Sequence, residues 1–137
     1  MALLSVSLDR LRQINNILGY PAGDSLLQST SYRLQSCLPT GTTLARLTGN
    51  QFAIALGHVA HLETVKQLAT ELMDALSRPY SLPVHEVFLT ASIGVAMYPD
   101  NSQELTVLMR QADAALEHAK QHKSNYCQFY QPDMTVA

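Results

Sequence analysis

Residues 45–56 read ARLTGNQFAIAL, and this segment constrains the fold more than any other. Two apolar half-strands flank a polar turn, in which Gly49 and Asn50 tolerate the positive φ that tight turns require. The pattern predicts a β-hairpin with arms at residues 43–47 and 51–56 around a turn at residues 48–50. The turn and the residue that follows it carry the amides Asn50 and Gln51 and no carboxylate.

Strands and helices alternate along the rest of the chain. A short apolar run predicts a buried central strand at residues 3–8, and further strands are predicted at residues 80–82, 86–89, 90–98 and 126–130. The segments at residues 80–82 and 86–89 can pair across Pro83 as an edge ribbon. Apolar residues at helical spacing predict helices at residues 9–18, 21–38, 62–77 and 103–121, with Gly19 ending the first and Ser102 capping the last.

The order β-α-α-β-β-α-β-α-β indicates an α+β fold with a mostly antiparallel central sheet flanked by helices. Small alanines on one face of the last helix would let it approach the sheet closely. With 137 residues, of which 47% are hydrophobic and 15% charged, the chain is expected to form a single domain over residues 1–137.

Composition excludes several function classes. A formal net charge of −2 argues against a nucleic-acid-binding face, although a local phosphate site is compatible with it. No apolar run approaches the roughly 18 residues that span a bilayer, so no membrane contact is expected from this segment. Cys37 and Cys127 lack metal-ligand spacing and are predicted to be packed or partly exposed thiols, which favours a cytoplasmic location.

Four ordered blocks resemble the GGDEF (diguanylate cyclase) family. Residues 6–24, VSLDRLRQINNILGYPAGD, align without a gap to the family's IDxDxFKxINDxxGHxxGD. Residues 89–96 and 112–120 resemble its TxSIGV strand and its ADxALYxAK helix. The Gly-Gly-Asp/Glu-Glu-Phe signature appears as Thr48, Gly49, Asn50, Gln51 and Phe52. The resemblance implies a palm-like nucleotide cyclase fold. Because the family's opening helix is absent, we expect a fragment of a longer multidomain protein.

The resemblance also implies a chemistry and its loss. Diguanylate cyclases join two GTP molecules into cyclic di-GMP, with divalent metal at the triphosphate. The family's metal carboxylates fall at Ser7 and Asn50, and its signature glutamate falls at Gln51. Neutral ligands suit Mg²⁺ poorly, so we expect no catalytic residue and no metal, with Asp9 as a residual ligand and Mg²⁺ only if the nucleotide site functions. Alternatively, residues 48–51 form a polar hairpin kept for folding alone.

Nucleotide contacts are better preserved than metal ligands. The family's guanine contacts correspond to Asn15 and Asp24, and one of its two phosphate-facing cations corresponds to Lys120. The second cation position is Ser124, where Lys123 could substitute in part. The residues equally allow structural roles, Asn15 at a helix C-terminus and Asp24 as an N-terminal dipole partner of the second helix. The family's product-inhibition motif would fall at residues 39–42, which carry no charge.

Histidine pairs give a weaker signal. His58 and His61 flank the loop after the hairpin, and His118 and His122 are four apart on the last helix. The first pair has no third ligand at suitable spacing, so a solvated loop is favoured over a metal site. The adjacent Lys120 and Lys123 disfavour a cation at the second pair.

Together these features predict a degenerate GGDEF domain of a bacterial cyclic di-GMP signalling protein, without cyclase activity. It would act as a GTP-binding regulatory or dimerisation module, with a homodimer among the expected assemblies, for a C-terminal phosphodiesterase (EAL) domain. Residues 129–134 resemble the join between such domains. The alternatives are an active cyclase making cyclic di-GMP from two GTP, and a scaffold with no ligand. The domain itself is expected in the cytoplasm, whether or not the full-length protein is anchored to a membrane.

Overall fold

The computed structural model describes residues 1–47, 50–57, 61–82, 86–122 and 126–134. Its elements, in chain order, are β1 (Ala2–Leu8), α1 (Leu11–Leu18), α2 (Tyr20–Cys37), β2 (Thr43–Arg46), β3 (Gln51–Leu56), α3 (Leu62–Leu76), β4 (Tyr80–Ser81), β5 (Glu86–Val87), β6 (Ala91–Met97), α4 (Leu105–His122) and β7 (Cys127–Phe129).

The main sheet has the strand order β2-β3-β1-β6-β7 over the described residues. Every pairing is antiparallel except that of β6 with β7, which confirms the predicted mostly antiparallel sheet. All seven residues of β1 are buried, as expected of its central place. The strands β4 and β5 pair with each other as predicted, but they form a separate two-stranded ribbon. Pro83, between them, lies outside the described residues.

The two faces of β1 meet different partners because side chains alternate along a strand. Leu4, Val6 and Leu8 join the larger core together with residues of α2 and α3, including Leu26, Leu34, Val65 and Leu72. The opposite face meets α4, where Leu3 packs with Leu108 and Ala112. Ser5 and Ser7 lie on this second face, so the polar residues of β1 are turned toward α4.

A close approach between α4 and β6 depends on Gly94. A methyl group at this position would overlap the backbone at Ala112 and Leu116. The helix presents Ala112, Ala115 and Ala119 as fully buried residues, which confirms the predicted face of small side chains. A larger residue at position 94 would therefore force the helix away from the sheet.

Arg33 joins α2 to the end of α3. Its guanidinium donates to the carbonyls of Ala75 at 3.0 Å, Arg78 at 2.7 Å and Pro79 at 2.6 Å, at and just beyond the end of α3. The same group lies 3.7 Å from the ring centre of Tyr80. Burial raises the pKa of Tyr80, although Thr30 and Arg33 act in the opposite direction.

Two helix starts differ from the predictions. The first helix begins at Leu11 and not at residue 9, because Arg10 adopts a left-handed conformation with φ of 67° that ends β1 and turns the chain. Asp9 therefore lies in a turn. The last helix begins at Leu105 and not at residue 103. Ser102 still accepts a hydrogen bond from the Glu104 N–H at 3.1 Å, so its capping contact precedes the regular helix.

Candidate functional site

The α1–α2 corner and the hairpin enclose a cavity of about 420 Å³. Its polar lining consists of Arg12, Asn15, Asn16, Tyr20, Asp24, Arg46 and Asn50, together with apolar Leu11 and Leu27. Three residues chosen from the sequence, Asn15, Asp24 and Asn50, are thus brought to one cavity from three separate elements. The polar lining can hydrogen-bond a ligand and the leucines can contact an apolar ring.

Asn15 is positioned by Gly23. The Asn15 Oδ1 atom occupies the space in which a side chain at position 23 would begin, so any residue other than glycine there would displace the Asn15 side chain. Within the described residues, this buried oxygen has no hydrogen-bond donor. The helix α1 ends at Leu18, and its C-cap is Gly19 with φ of 91°, whose N–H donates to the Asn15 carbonyl at 2.9 Å. The backbone of Asn15 thus contributes to the helix C-terminus, as its alternative role expects, while its side chain lies against Gly23.

Asp24 is exposed on the second turn of α2. The helix begins at Tyr20 and has no acidic residue in its first turn. Because the influence of a helix dipole is confined to that first turn, the alternative role of Asp24 as a dipole partner is not supported by its position. Its carboxylate has no hydrogen bond or ion pair with any of the described residues, and it lines the cavity beside Asn15.

Asn50 fastens the hairpin to the end of β1. Its Nδ2 group donates to the Leu8 carbonyl at 2.7 Å, and the Leu8 N–H donates to the Asn50 carbonyl at 3.3 Å. An aspartate could not donate to that carbonyl, since an ionised carboxylate only accepts. The amide at position 50 thus has a bonding role of its own. Thr48 and Gly49, the first two signature positions, lie outside the described residues.

Gln51 contacts α4. Its Nε2 group donates to Asp113 Oδ1 at 2.8 Å, and Ser5 Oγ donates to the same oxygen at 2.7 Å. Ser7 pairs with Gln51 across the strands and is 1% exposed. A glutamate at position 51 would place a second carboxylate beside Asp113, whereas the amide supplies a donor. Phe52, the last signature residue, is fully buried in the core.

The Asp9 carboxylate is bonded to hydroxyl groups of the neighbouring segment. Thr90 Oγ1 donates to Oδ2 at 2.7 Å, and Ser92 Oγ donates to Oδ1 at 3.1 Å. In addition, the Asp9 N–H donates to the Thr90 carbonyl at 2.8 Å. Both carboxylate oxygens therefore already accept hydrogen bonds, which fixes the orientation of this side chain.

Lys120 lines a second groove of about 270 Å³ that continues from the cavity. Asp9, Arg10, Arg12 and Asn50 line the same groove, and Arg12 and Asn50 are shared with the cavity. Lys120 Nζ lies 3.7 Å from Glu117 Oε1, an exposed pair that holds the lysine only weakly. Lys123 and Ser124 lie outside the described residues.

Sequence reasoning missed three arginines and an aspartate at this site. Arg12 lies one helical turn before Asn15, and that spacing places both on one face of α1. The local sequence does not indicate that Arg10 and Arg46 belong to the site. The turn after β1 and the register of the hairpin place them there. Asp113 could have been noticed as the charged residue in an alanine-rich helix face.

The remaining candidates gain no support as sites. Among the residues that the structure describes, no group of three His, Cys, Asp or Glu side chains could hold a metal ion. Cys37 and Cys127 are free and half-buried, and burial raises the pKa of the Cys127 thiol to about 11. The space at residues 39–42 is lined by uncharged residues. His58 and the His122 side chain lie outside the described part, so neither histidine pair is tested.

None of the helices in the described ranges combines the length and the apolar character that a membrane crossing demands.

Comparison with known proteins places this arrangement in a family. A family model described as "Diguanylate cyclase, GGDEF domain" matches residues 1–126. The chain belongs to the GGDEF domain family. The bifunctional diguanylate cyclase/cyclic di-GMP phosphodiesterase MucR of Pseudomonas aeruginosa is 36% identical to this domain over 136 residues, which are 98% of this chain and 20% of that protein. The GGDEF domain thus spans about a fifth of the length of the curated relatives it matches.

Solved structures show the same fold. The GGDEF domain of TpbB (YfiN) from Pseudomonas aeruginosa matches with a TM-score of 0.94 and 28% identity, over 96% of this chain and 83% of that one. An EAL/GGDEF domain protein from M. capsulatus matches with a TM-score of 0.90 and 32% identity, over 96% and 84% of the two chains. The α+β fold implied by the resemblance is confirmed by these structures.

Proposed function

We propose that this GGDEF domain binds GTP in the cavity at the α1–α2 corner and regulates a neighbouring domain, without making cyclic di-GMP. The observation that carries the proposal is the cavity itself. It brings Asn15 and Asp24 together with two arginines, while the amides at signature positions 50 and 51 are used in hydrogen bonds within the domain.

Guanine selection would rest on Asp24. A carboxylate accepts the paired N1 and N2 protons of guanine, whereas adenine offers no such pair of donors. Tyr20 lies four residues earlier on α2, lines the same cavity and is 74% exposed, so its ring is available to stack on a base. Arg12 and Arg46 supply donors for phosphate oxygens at the same cavity.

Catalysis would be lost because the negatively charged metal ligands are missing. Cyclisation needs cations that stabilise the entering and leaving oxygens, and those cations need carboxylate ligands. At this site the corresponding residues are Ser7, which is buried, and Asn50, which donates to Leu8. A hydroxyl and a donating amide bring no negative charge to a metal.

A regulatory role is supported by the relatives. MucR is described as a bifunctional diguanylate cyclase/cyclic di-GMP phosphodiesterase, and the M. capsulatus protein as an EAL/GGDEF domain protein. We therefore expect the full-length protein to carry a phosphodiesterase-type domain after Ala137. GTP would change the activity of that domain if it binds two states of the protein unequally.

The catalytic part is tested by incubating the protein with GTP and Mg²⁺ or Mn²⁺ and separating the products by liquid chromatography. We expect no cyclic di-GMP above a control without protein. Product formation would show that the domain is an active cyclase.

The regulatory part is tested on the full-length protein by measuring cyclic di-GMP hydrolysis with and without GTP. We expect GTP to change the rate for the natural sequence and not for Asp24→Ala. If GTP leaves both rates unchanged, or changes both equally, this cavity is not the sensor and the domain is a scaffold.

A further inference from the structure

The groups that would hold a divalent cation at this site are already bonded to protein atoms. Both oxygens of Asp9 accept hydroxyl hydrogen bonds, from Thr90 and Ser92. The Asn50 side chain directs its Nδ2 donor at the Leu8 carbonyl, so this carbonyl is used by an amide and not by a cation. Magnesium favours octahedral oxygen ligands, usually including carboxylates, and gives up its water reluctantly. Of the three positions that would supply ligands, Asp9 is the one carboxylate, and Ser7 and Asn50 are neutral, so the side chains present do not fit the magnesium ion that the family implies.

Positive side chains collect around the same position. The cavity and the groove that continues it are lined by Arg10, Arg12, Arg46 and Lys120. These are four of the nine Lys and Arg residues of the whole chain, whose net charge is −2. A concentration of cations in an otherwise slightly acidic domain marks a site for an anion.

We infer that this site takes the triphosphate of a nucleotide without a divalent cation, with the arginines and the lysine supplying the positive charge that a metal would otherwise bring. The inference rests on the proposed binding of GTP and concerns the form of the nucleotide that is bound. A free triphosphate offers about four negative charges to these side chains, and a guanidinium binds phosphate oxygens through two parallel hydrogen bonds. A chelated magnesium ion would cancel two of those charges and would lie among like charges.

Arg46 gives the sharpest test, because it is an exposed residue of β2 that lines the cavity together with Asn50. Arg110 is the matched control. It is an exposed arginine on α4, ten residues before Lys120 and hence about 15 Å away along the helix axis. The change of arginine to glutamine removes the same charge at both positions.

The experiment is isothermal titration of the protein with GTP, in excess EDTA and again in saturating Mg²⁺. We expect GTP to bind at least as tightly in EDTA as in Mg²⁺. In EDTA, Arg46→Gln should weaken binding about tenfold, the loss expected for one charge-assisted hydrogen bond, and Arg110→Gln should leave it within about twofold. Inorganic triphosphate should compete with GTP in EDTA.

The outcomes separate this inference from the proposed function. Binding that requires Mg²⁺ would overturn the inference and leave GTP binding intact. Equal losses for Arg46→Gln and Arg110→Gln would overturn the role of Arg46 in binding the triphosphate. Absence of binding in both buffers would overturn the proposed function and the inference together. If Arg46→Gln does not fold by circular dichroism, Arg12→Gln on α1 replaces it in the same comparison.

Discussion

Replacing Asn50 with Asp should destabilise the domain, although the family has a carboxylate at this position. The substitution removes the donor of a part-buried 2.7 Å hydrogen bond and sets a carboxylate oxygen against the Leu8 carbonyl oxygen. Loss of one such partner costs about 1–3 kcal/mol when the remaining group is left unsatisfied. For a domain of this size, the melting temperature should fall by roughly 3–10 °C.

Asn101 provides a matched control for this substitution. Its Oδ1 accepts a hydrogen bond from the Met97 N–H at 2.7 Å, so Asn101→Asp keeps the acceptor that the contact needs. We expect the melting temperature of Asn101→Asp, followed by circular dichroism in EDTA, to change by no more than about 2 °C. If Asn50→Asp has the melting temperature of the natural protein, or if the two variants lower the melting temperature equally, the Asn50 amide is not the donor that joins the hairpin to β1.

Three other predictions concern a glycine, an arginine and a cysteine. Gly23→Ala should displace the Asn15 side chain and weaken GTP binding about tenfold or more. Gly57→Ala should not weaken it, because a methyl group there meets open space. Equal GTP affinities of the two variants by titration would contradict this role of Gly23. Arg33→Gln should lower the free energy of unfolding in urea by about 1.5–3 kcal/mol, since it removes charged hydrogen bonds to three carbonyls at the end of α3; an unchanged midpoint would refute that role. The Cys127 thiol, with a pKa of about 11, should react with iodoacetamide roughly a hundredfold more slowly at pH 8.5 than an ordinary cysteine and faster as pH rises toward 11; equal rates by mass spectrometry would show that the thiol is not desolvated.

Patterns confined to one element were predicted well. The third strand begins at Gln51 and ends at Leu56, the bounds predicted for the second arm of the hairpin. Gly19 separates the first two helices, and the alanines of α4 face the sheet. Each of these features depends on side-chain periodicity or on the conformational freedom of glycine, which are properties of the local sequence.

Features that depend on distant contacts were not predicted. The helical pattern places the start of the first helix at residue 9, which is too early, because periodicity does not indicate a left-handed residue such as Arg10 that is not glycine. The partner of Asn50 is 42 residues away, and that of Gln51 is 62 residues away. The sequence shows that an amide has replaced a carboxylate and that a charge is lost. The structure is needed to show which group the amide donor binds.

Recognition of guanine by the cavity can be measured by titrating the protein with GTP and with ATP. Asp24 is exposed and faces the cavity, so it can bind a base without rearrangement of the helix that carries it. We predict that GTP binds at least tenfold more tightly than ATP. Asp24→Ala should reduce the affinity for GTP by about 1.5–3 kcal/mol and the affinity for ATP hardly at all. Equal affinities for the two nucleotides, or no binding of either, would show that the cavity does not recognise guanine.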